Sequence, residues 1–318
     1  MKVGFIGLGN VGGKLAGSIL RNGFDLTVRD LDKNIAQRFL DDGAKWAESP
    51  RELAERCDLV ITCLPSPAIC SAVMEAEDGV LAGLSEGKIW AEMSTTDESE
   101  VKRIAKLVEA KGAAAIECPV SGGCHRAATG NISIFAGCER DVFERMLPVL
   151  TTLGRRVLHT GLIGTASALK VMTNYLATAN LITVCEALTT MKAVGFDLAT
   201  TYKAIEISSG TSFVAETEGQ VILNGSRDIS FTMDLVKKDI GLFHAIAEQH
   251  NVPLEISPLM IKIFNDGIER YGERELSPNI IRRLEDATGL SILADGFPPE
   301  MLDNEPEQPG YEVITKPA

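Results

Sequence analysis

A lysine and an asparagine four residues apart, Lys170 and Asn174, lie in the stretch Gly161-Leu-Ile-Gly164-Thr-Ala-Ser-Ala-Leu-Lys170-Val-Met-Thr-Asn174. At that spacing both project from one face of a helix. A lysine partly removed from water can trade a proton with a reacting hydroxyl or carbonyl. A carboxamide beside it can donate and accept hydrogen bonds to orient a substrate. The alternative is a long side chain that lays its stem on apolar surface and keeps its ammonium in water. Spacing alone leaves both open.

A second set stands at the N-terminus, Phe5-Ile-Gly7-Leu8-Gly9-Asn10-Val11-Gly12. Val3 to Ile6 is a β-branched, apolar run that reads as a buried strand, and Gly13 to Asn22 has helical periodicity. Glycines at G-x-G-x-x-G spacing between strand and helix suit a tight turn, a close approach to a pyrophosphate and helix-on-strand packing. Phosphates would rest on N–H groups at the helix start. Phe24 to Val28 reads as the next strand and Asp30 closes it, about 20 residues on, where a carboxylate takes the adenine ribose hydroxyls and repels a 2′-phosphate. Asp30 therefore favours NAD over NADP. Arg29 is either a solvated charge or a guanidinium able to hold that phosphate.

A third set is Pro119-Val-Ser121-Gly122-Gly123-Cys-His125-Arg126-Ala-Ala-Thr-Gly130. Successive N–H groups plus a hydroxyl make a nest for a carboxylate or phosphate. Ser-Gly-Gly is also ordinary turn chemistry. Arg126 either turns to solvent or reaches a second anionic or hydroxyl-bearing group on the substrate.

These residues need elements to hold them. Apolar strands at 58–64, 88–93, 113–118, 131–136 and 155–160 alternate with helical segments. That pattern predicts an α/β fold, a Rossmann-type doubly wound sheet. Ligands bind beyond the carboxyl ends of such strands, where the glycine loop, Asp30, Leu64-Pro65, Ser94-Thr95 and Pro119-Val-Ser121 all fall. From Thr165 to about Val194 there is neither Gly nor Pro, which predicts one long inter-domain helix. Helices follow at about 199–207, 213–223, 233–249 and 256–271 with no convincing strand, so the second domain reads as all-helical. The expected division is a dinucleotide-binding domain over 1–164, a helical substrate and oligomerisation domain over 165–295, and a Pro- and acid-rich tail over 296–318. That last part reads as a tail or an arm on a partner subunit.

Composition bounds the rest. The 318 residues are 45% apolar and 24% charged, with a formal net charge of −13, which argues against nucleic acid or an anionic membrane as partner. No apolar run spans a bilayer, and no signal peptide precedes the first strand. Seven cysteines without C-x-x-C pairs predict reduced thiols in a cytoplasmic compartment, and four scattered histidines give no metal site.

From Met1 to about Tyr271 the chain resembles the β-hydroxyacid dehydrogenase family, in which 3-hydroxyisobutyrate dehydrogenase, tartronate semialdehyde reductase and the glyoxylate/succinic semialdehyde reductases are grouped. The likeness rests on the three sets above, in order, and on a fourth, Phe231-Thr-Met-Asp-Leu-Val-Lys-Lys238-Asp239. It implies that Lys170 is the general acid/base and Asn174 its substrate-orienting neighbour. Ser121, Gly122 and Gly123 would hold the substrate carboxylate, with His125 and Arg126 just beyond. Leu64, Pro65 and Thr95 would line the cofactor cleft, and Phe231, Lys238 and Asp239 would close over cofactor and substrate. A homodimer or homotetramer is implied. Departures from the family pattern are Val11, Leu15, Thr173, Glu92, Glu98, Arg126 where glycine is common, and the longer ending from Glu273. They leave cofactor and chemistry in place and leave the substrate open. The expected activity is NAD-dependent interconversion of a 3-hydroxyisobutyrate-like acid and its semialdehyde. Tartronate or glyoxylate/succinic semialdehyde reduction is the alternative within the class, and a non-catalytic nucleotide-binding sensor the alternative outside it.

Overall fold

The computed structural model describes residues 1–315. The chain divides into two compact units, Met1–Lys170 with the segment from Asp303, and Val171–Leu302. In the first unit the elements run β1 (Lys2–Ile6), α1 (Gly12–Arg21), β2 (Asp25–Arg29), α2 (Lys33–Asp41), β3 (Lys45–Trp46), α3 (Pro50–Arg56), β4 (Leu59–Thr62), α4 (Pro67–Glu75), α5 (Val80–Gly83), β5 (Ile89–Glu92), α6 (Glu98–Glu109), β6 (Ala114–Glu117), β7 (Val120–Ser121), α7 (Gly123–Thr129), β8 (Ser133–Gly137), α8 (Arg140–Leu153) and β9 (Arg156–Gly161). The sheet order is β9-β8-β6-β5-β4-β1-β2-β3, with the reversal of strand order between β1 and β4. β1 to β6 pair in parallel, as the alternation of strands and helices predicts. β8 instead runs antiparallel to β6, because the chain turns back after Pro119 and β7 pairs with β8 at Val120↔Ile134 and Ser121↔Ser133.

Both faces of the sheet are covered, so central strands such as Leu59-Val-Ile-Thr62 are buried throughout. Leu15, Ile19, Phe39 and Phe143 pack on one face, and Leu53, Met74, Trp90 and Val108 on the other. Ser49, Ser66 and Asp97 each accept a backbone N–H at the start of α3, α4 and α6.

α9 (Thr165–Val194) is a single helix of 30 residues, matching the stretch without Gly or Pro. In the second unit it is followed by α10 (Leu198–Glu206), α11 (Phe213–Asn224), α12 (Met233–Gln249), α13 (Ile256–Tyr271), a 3-10 turn (Ser277–Ile281) and α14 (Arg282–Thr288). Their core gathers Leu188, Ile222, Leu223, Ile240, Phe264 and Ile281, all fully buried. Arg227 forks onto both oxygens of Glu285 at 2.8 Å and ties the turn after α11 to α14.

Within the acidic ending, residues 303–315 lie on the chain's own first unit. β10 (Tyr311–Glu312) adds to the sheet edge in parallel with β9, at Tyr311↔Arg156 and Glu312↔Val157. A two-residue strand leaves no periodicity to read. Its hold comes from distant partners, including Arg140, which donates to both oxygens of Glu312 at 2.6 and 3.0 Å.

Candidate active site

The glycine loop joins β1 to α1 at the carboxyl edge of the sheet. A side chain on Gly12 would meet the Gly7 carbonyl at 2.0 Å, so strand and helix can only close on each other without one. Gly9 is the reverse case, exposed and with nothing within 4 Å of the place a side chain would take. Open space there, above an α1 start that no side chain caps, is what a pyrophosphate requires. Asp30 follows β2 and accepts the Leu8 N–H at 2.6 Å and the Asp32 N–H at 3.2 Å. A carboxylate has about four lone-pair sites, so two remain for ribose hydroxyls. Arg29 lies 5.1 Å from the centre of the Trp46 ring. These residues fit a dinucleotide.

The next strand ends are organised by a buried carboxylate. Glu92, at the end of β5, accepts the Ser94 N–H at 2.7 Å, the Thr62 hydroxyl at 2.9 Å and the Cys70 thiol at 2.6 Å. Ser94 in turn accepts the Leu64 N–H at 2.7 Å. Burial pushes the Glu92 carboxyl up, against the pull of those hydrogen bonds. One chain of bonds thus sets the backbone of Leu64-Pro65 and of the Ser94-Thr95 turn. The glutamate side chain reaches Thr62 of β4 and Cys70 of α4.

Ser121 is in β7, and Gly122 and Gly123 follow at φ +129° and +84°, backbone conformations that favour glycine. His125 and Arg126 sit in α7. Burial, and then the Arg126 charge, hold the His125 imidazole below its ordinary value. Arg126 directs one nitrogen to Glu305, 3.4 Å away.

Lys170 is buried, 6% exposed, in the second turn of α9. Glu117, the last residue of β6, caps that helix by accepting the N–H groups of Gly164 and Ala166 at 2.6 and 2.8 Å. No motif flags Glu117; the signal is one acid in the apolar strand Ala114-Ala-Ile-Glu117.

In the second unit Asn174 donates to Asp239 at 2.5 Å, and Lys238 pairs with the other oxygen of Asp239 at 3.1 Å. Asp239 is 2% exposed. The Phe231 carbonyl accepts the Ser277 N–H at 2.9 Å just before α12.

Residues 2–161 match the family described as the NAD binding domain of 6-phosphogluconate dehydrogenase, and 164–284 match NAD-binding of NADP-dependent 3-hydroxyisobutyrate dehydrogenase. A 2-(hydroxymethyl)glutarate dehydrogenase of Eubacterium barkeri is 32% identical over 92% of this chain and 97% of its own length. The chain belongs to the β-hydroxyacid dehydrogenase family. A mitochondrial 3-hydroxyisobutyrate dehydrogenase of Mus musculus is 31% identical over 82% of this chain and 80% of its own. The crystal structure of a 3-hydroxyisobutyrate dehydrogenase from Salmonella typhimurium superposes with a TM-score of 0.81 at 26% identity, covering 89% of this chain and 99% of that one. As a β-hydroxyacid dehydrogenase the chain is an NAD(P)-dependent oxidoreductase. Among the described residues no helix is long and apolar enough to cross a membrane, and no group of three or more His, Cys, Asp or Glu side chains could hold a metal ion.

Proposed function

We propose that the protein interconverts a small β-hydroxyacid, 3-hydroxyisobutyrate-like, with its semialdehyde, using NAD, with Lys170 as general acid/base. The observation that carries this is a lysine buried in the second turn of α9, a helix whose start is fixed to the end of β6. That edge of the sheet is where the cofactor loop also ends. Bound NAD(P) supplies the acceptor, or in reverse the donor, of a hydride. Ser121, Gly122 and Gly123 hold the substrate carboxylate through a hydroxyl and backbone N–H groups. Lys170 takes the proton of the hydroxyl as its carbon is oxidised, and as an ammonium returns it to the carbonyl oxygen in reverse. Asn174, its amide fixed by Asp239, orients the reacting oxygen. Positioning and proton transfer supply the rate.

Two relatives support the substrate class. 2-(Hydroxymethyl)glutarate and 3-hydroxyisobutyrate, the acids in their names, both carry a hydroxymethyl group on the carbon that bears a carboxylate. A homodimer or homotetramer working in the cytoplasm is part of this reading. A non-catalytic sensor has no use for a buried lysine beside an oriented amide. The test is a panel of β-hydroxyacids and semialdehydes, tartronate and succinic semialdehyde among them, run with both cofactors. Lys170→Ala should lower kcat by about a hundredfold or more on the active substrate while NAD binding stays nearly unchanged. A variant keeping above about a tenth of the rate removes Lys170 from the chemistry.

A further inference from the structure

The segment after Leu302 lies beyond both matched regions, the second of which ends at residue 284. Its first part is concentrated on α7. Asp303 accepts the Asn131 amide at 2.7 Å through the same oxygen that takes the Thr129 hydroxyl. Asn131, 1% exposed, also donates to the Glu305 carbonyl at 2.8 Å. Glu305 faces Arg126. Glu307 takes Arg21, which also donates to the Ala128 carbonyl at 3.2 Å. The far end is anchored separately. Gly310, Tyr311 and Val313 donate to the carbonyls of Thr151, Arg155 and Val157 at 2.8–3.0 Å.

The stretch 303–307 is therefore drawn across the C-terminal half of a seven-residue helix and held at β10. A helix that short does not stand alone in water. α7 also begins on two glycines at positive φ with no side-chain cap. Those two glycines are the ones that would hold the substrate carboxylate, so whatever steadies α7 steadies them.

We propose that residues 303–307 are an intramolecular strap that positions the Ser121–Gly123 loop, with Asp303 and Glu305 as positioning residues for the substrate carboxylate. This rests on reading that loop as the carboxylate site. The strap acts through that loop, on KM for the acid.

The full-length protein tests it with Asp303→Ala, Asp303→Asn and Ser121→Ala, each measured for KM, kcat, NAD binding and amide exchange. Asp303→Ala should raise KM for the acid about tenfold, with kcat and NAD affinity within about twofold. Exchange over residues 123–130 should quicken. Asp303→Asn, which keeps an acceptor for Asn131 and Thr129, should recover most of the KM. If Ser121→Ala raises KM and Asp303→Ala does not, the strap is wrong and the carboxylate reading stands. If neither moves KM while exchange quickens, the carboxylate reading fails and the strap's role goes with it. Equal loss of acid and NAD binding in Asp303→Ala would make the segment a general brace of the sheet and overturn the proposal.

Discussion

Glu117 receives both the backbone N–H and the hydroxyl of Ser167, so one buried carboxylate closes the first turn of the helix that presents Lys170 three residues later. With Gly164 and Ala166 it takes three of the N–H groups that a helix start leaves without partners. Burial pushes this carboxyl up, against those hydrogen bonds. Glu117→Gln offers one acceptor oxygen and turns an amide donor toward the rest. The cost should be about 1–3 kcal/mol, the range for leaving a buried donor unsatisfied. Because Lys170 lies in the next turn of the same helix, kcat should fall about tenfold while NAD affinity holds. Thermal unfolding and steady-state kinetics check both. A stable variant with full kcat would detach the cap from Lys170.

The cofactor preference follows from Asp30. Two of its lone-pair sites are held by Leu8 and Asp32, which fixes the carboxylate where the adenine ribose would lie. Arg29 lies against Trp46. NAD should be preferred over NADP by about tenfold or more in kcat/KM, about 1.4 kcal/mol. Asp30→Ala should narrow the gap from the NADP side. Equal use of both by the unaltered protein would show that Arg29 leaves Trp46 for a 2′-phosphate.

Asn174 and Asp239 should behave as one unit. The 2.5 Å bond points the amide nitrogen at Asp239 and leaves the carbonyl oxygen and the second N–H for other partners. Asn174→Ala and Asp239→Ala should each raise KM and lower kcat by similar factors. The double variant should be little worse than either, a coupling of about 0.5–3 kcal/mol for residues in one network. Additive losses would assign the two residues separate roles.

The legible and illegible parts of the site differ in sequence range. Gly7, Gly9 and Gly12 announce themselves because one turn spans them, and Lys170 and Asn174 because one helix face does. Glu117 and Ser167 are 50 residues apart, and the acid carries no mark beyond its place in an apolar strand. Glu92 was visible as a departure from the family, but its bond to Ser94 and, through it, the hold on Leu64 depend on strands pairing first. The acidic ending has the composition of a disordered tail. Its order comes from Arg21, Arg126, Asn131, Arg140 and Arg155, all supplied by the folded first unit.

The strap should also carry a defined pH signature. Burial alone would raise the Asp303 carboxyl, but hydrogen bonds from Thr129 and Asn131 outweigh it and hold the group below the ordinary value of 3.8. A folded-state value below the unfolded one means the contribution is present above the unfolded value, about 3.9, and is lost as pH falls through the folded one. The stability difference between the unaltered protein and Asp303→Asn should therefore be constant from about pH 8 to pH 5 and shrink below about pH 4. Urea midpoints across that range measure it. A difference that instead grew toward low pH would mean that the protonated acid is the better partner for Thr129 and Asn131, and that the charge on Asp303 does not hold the strap.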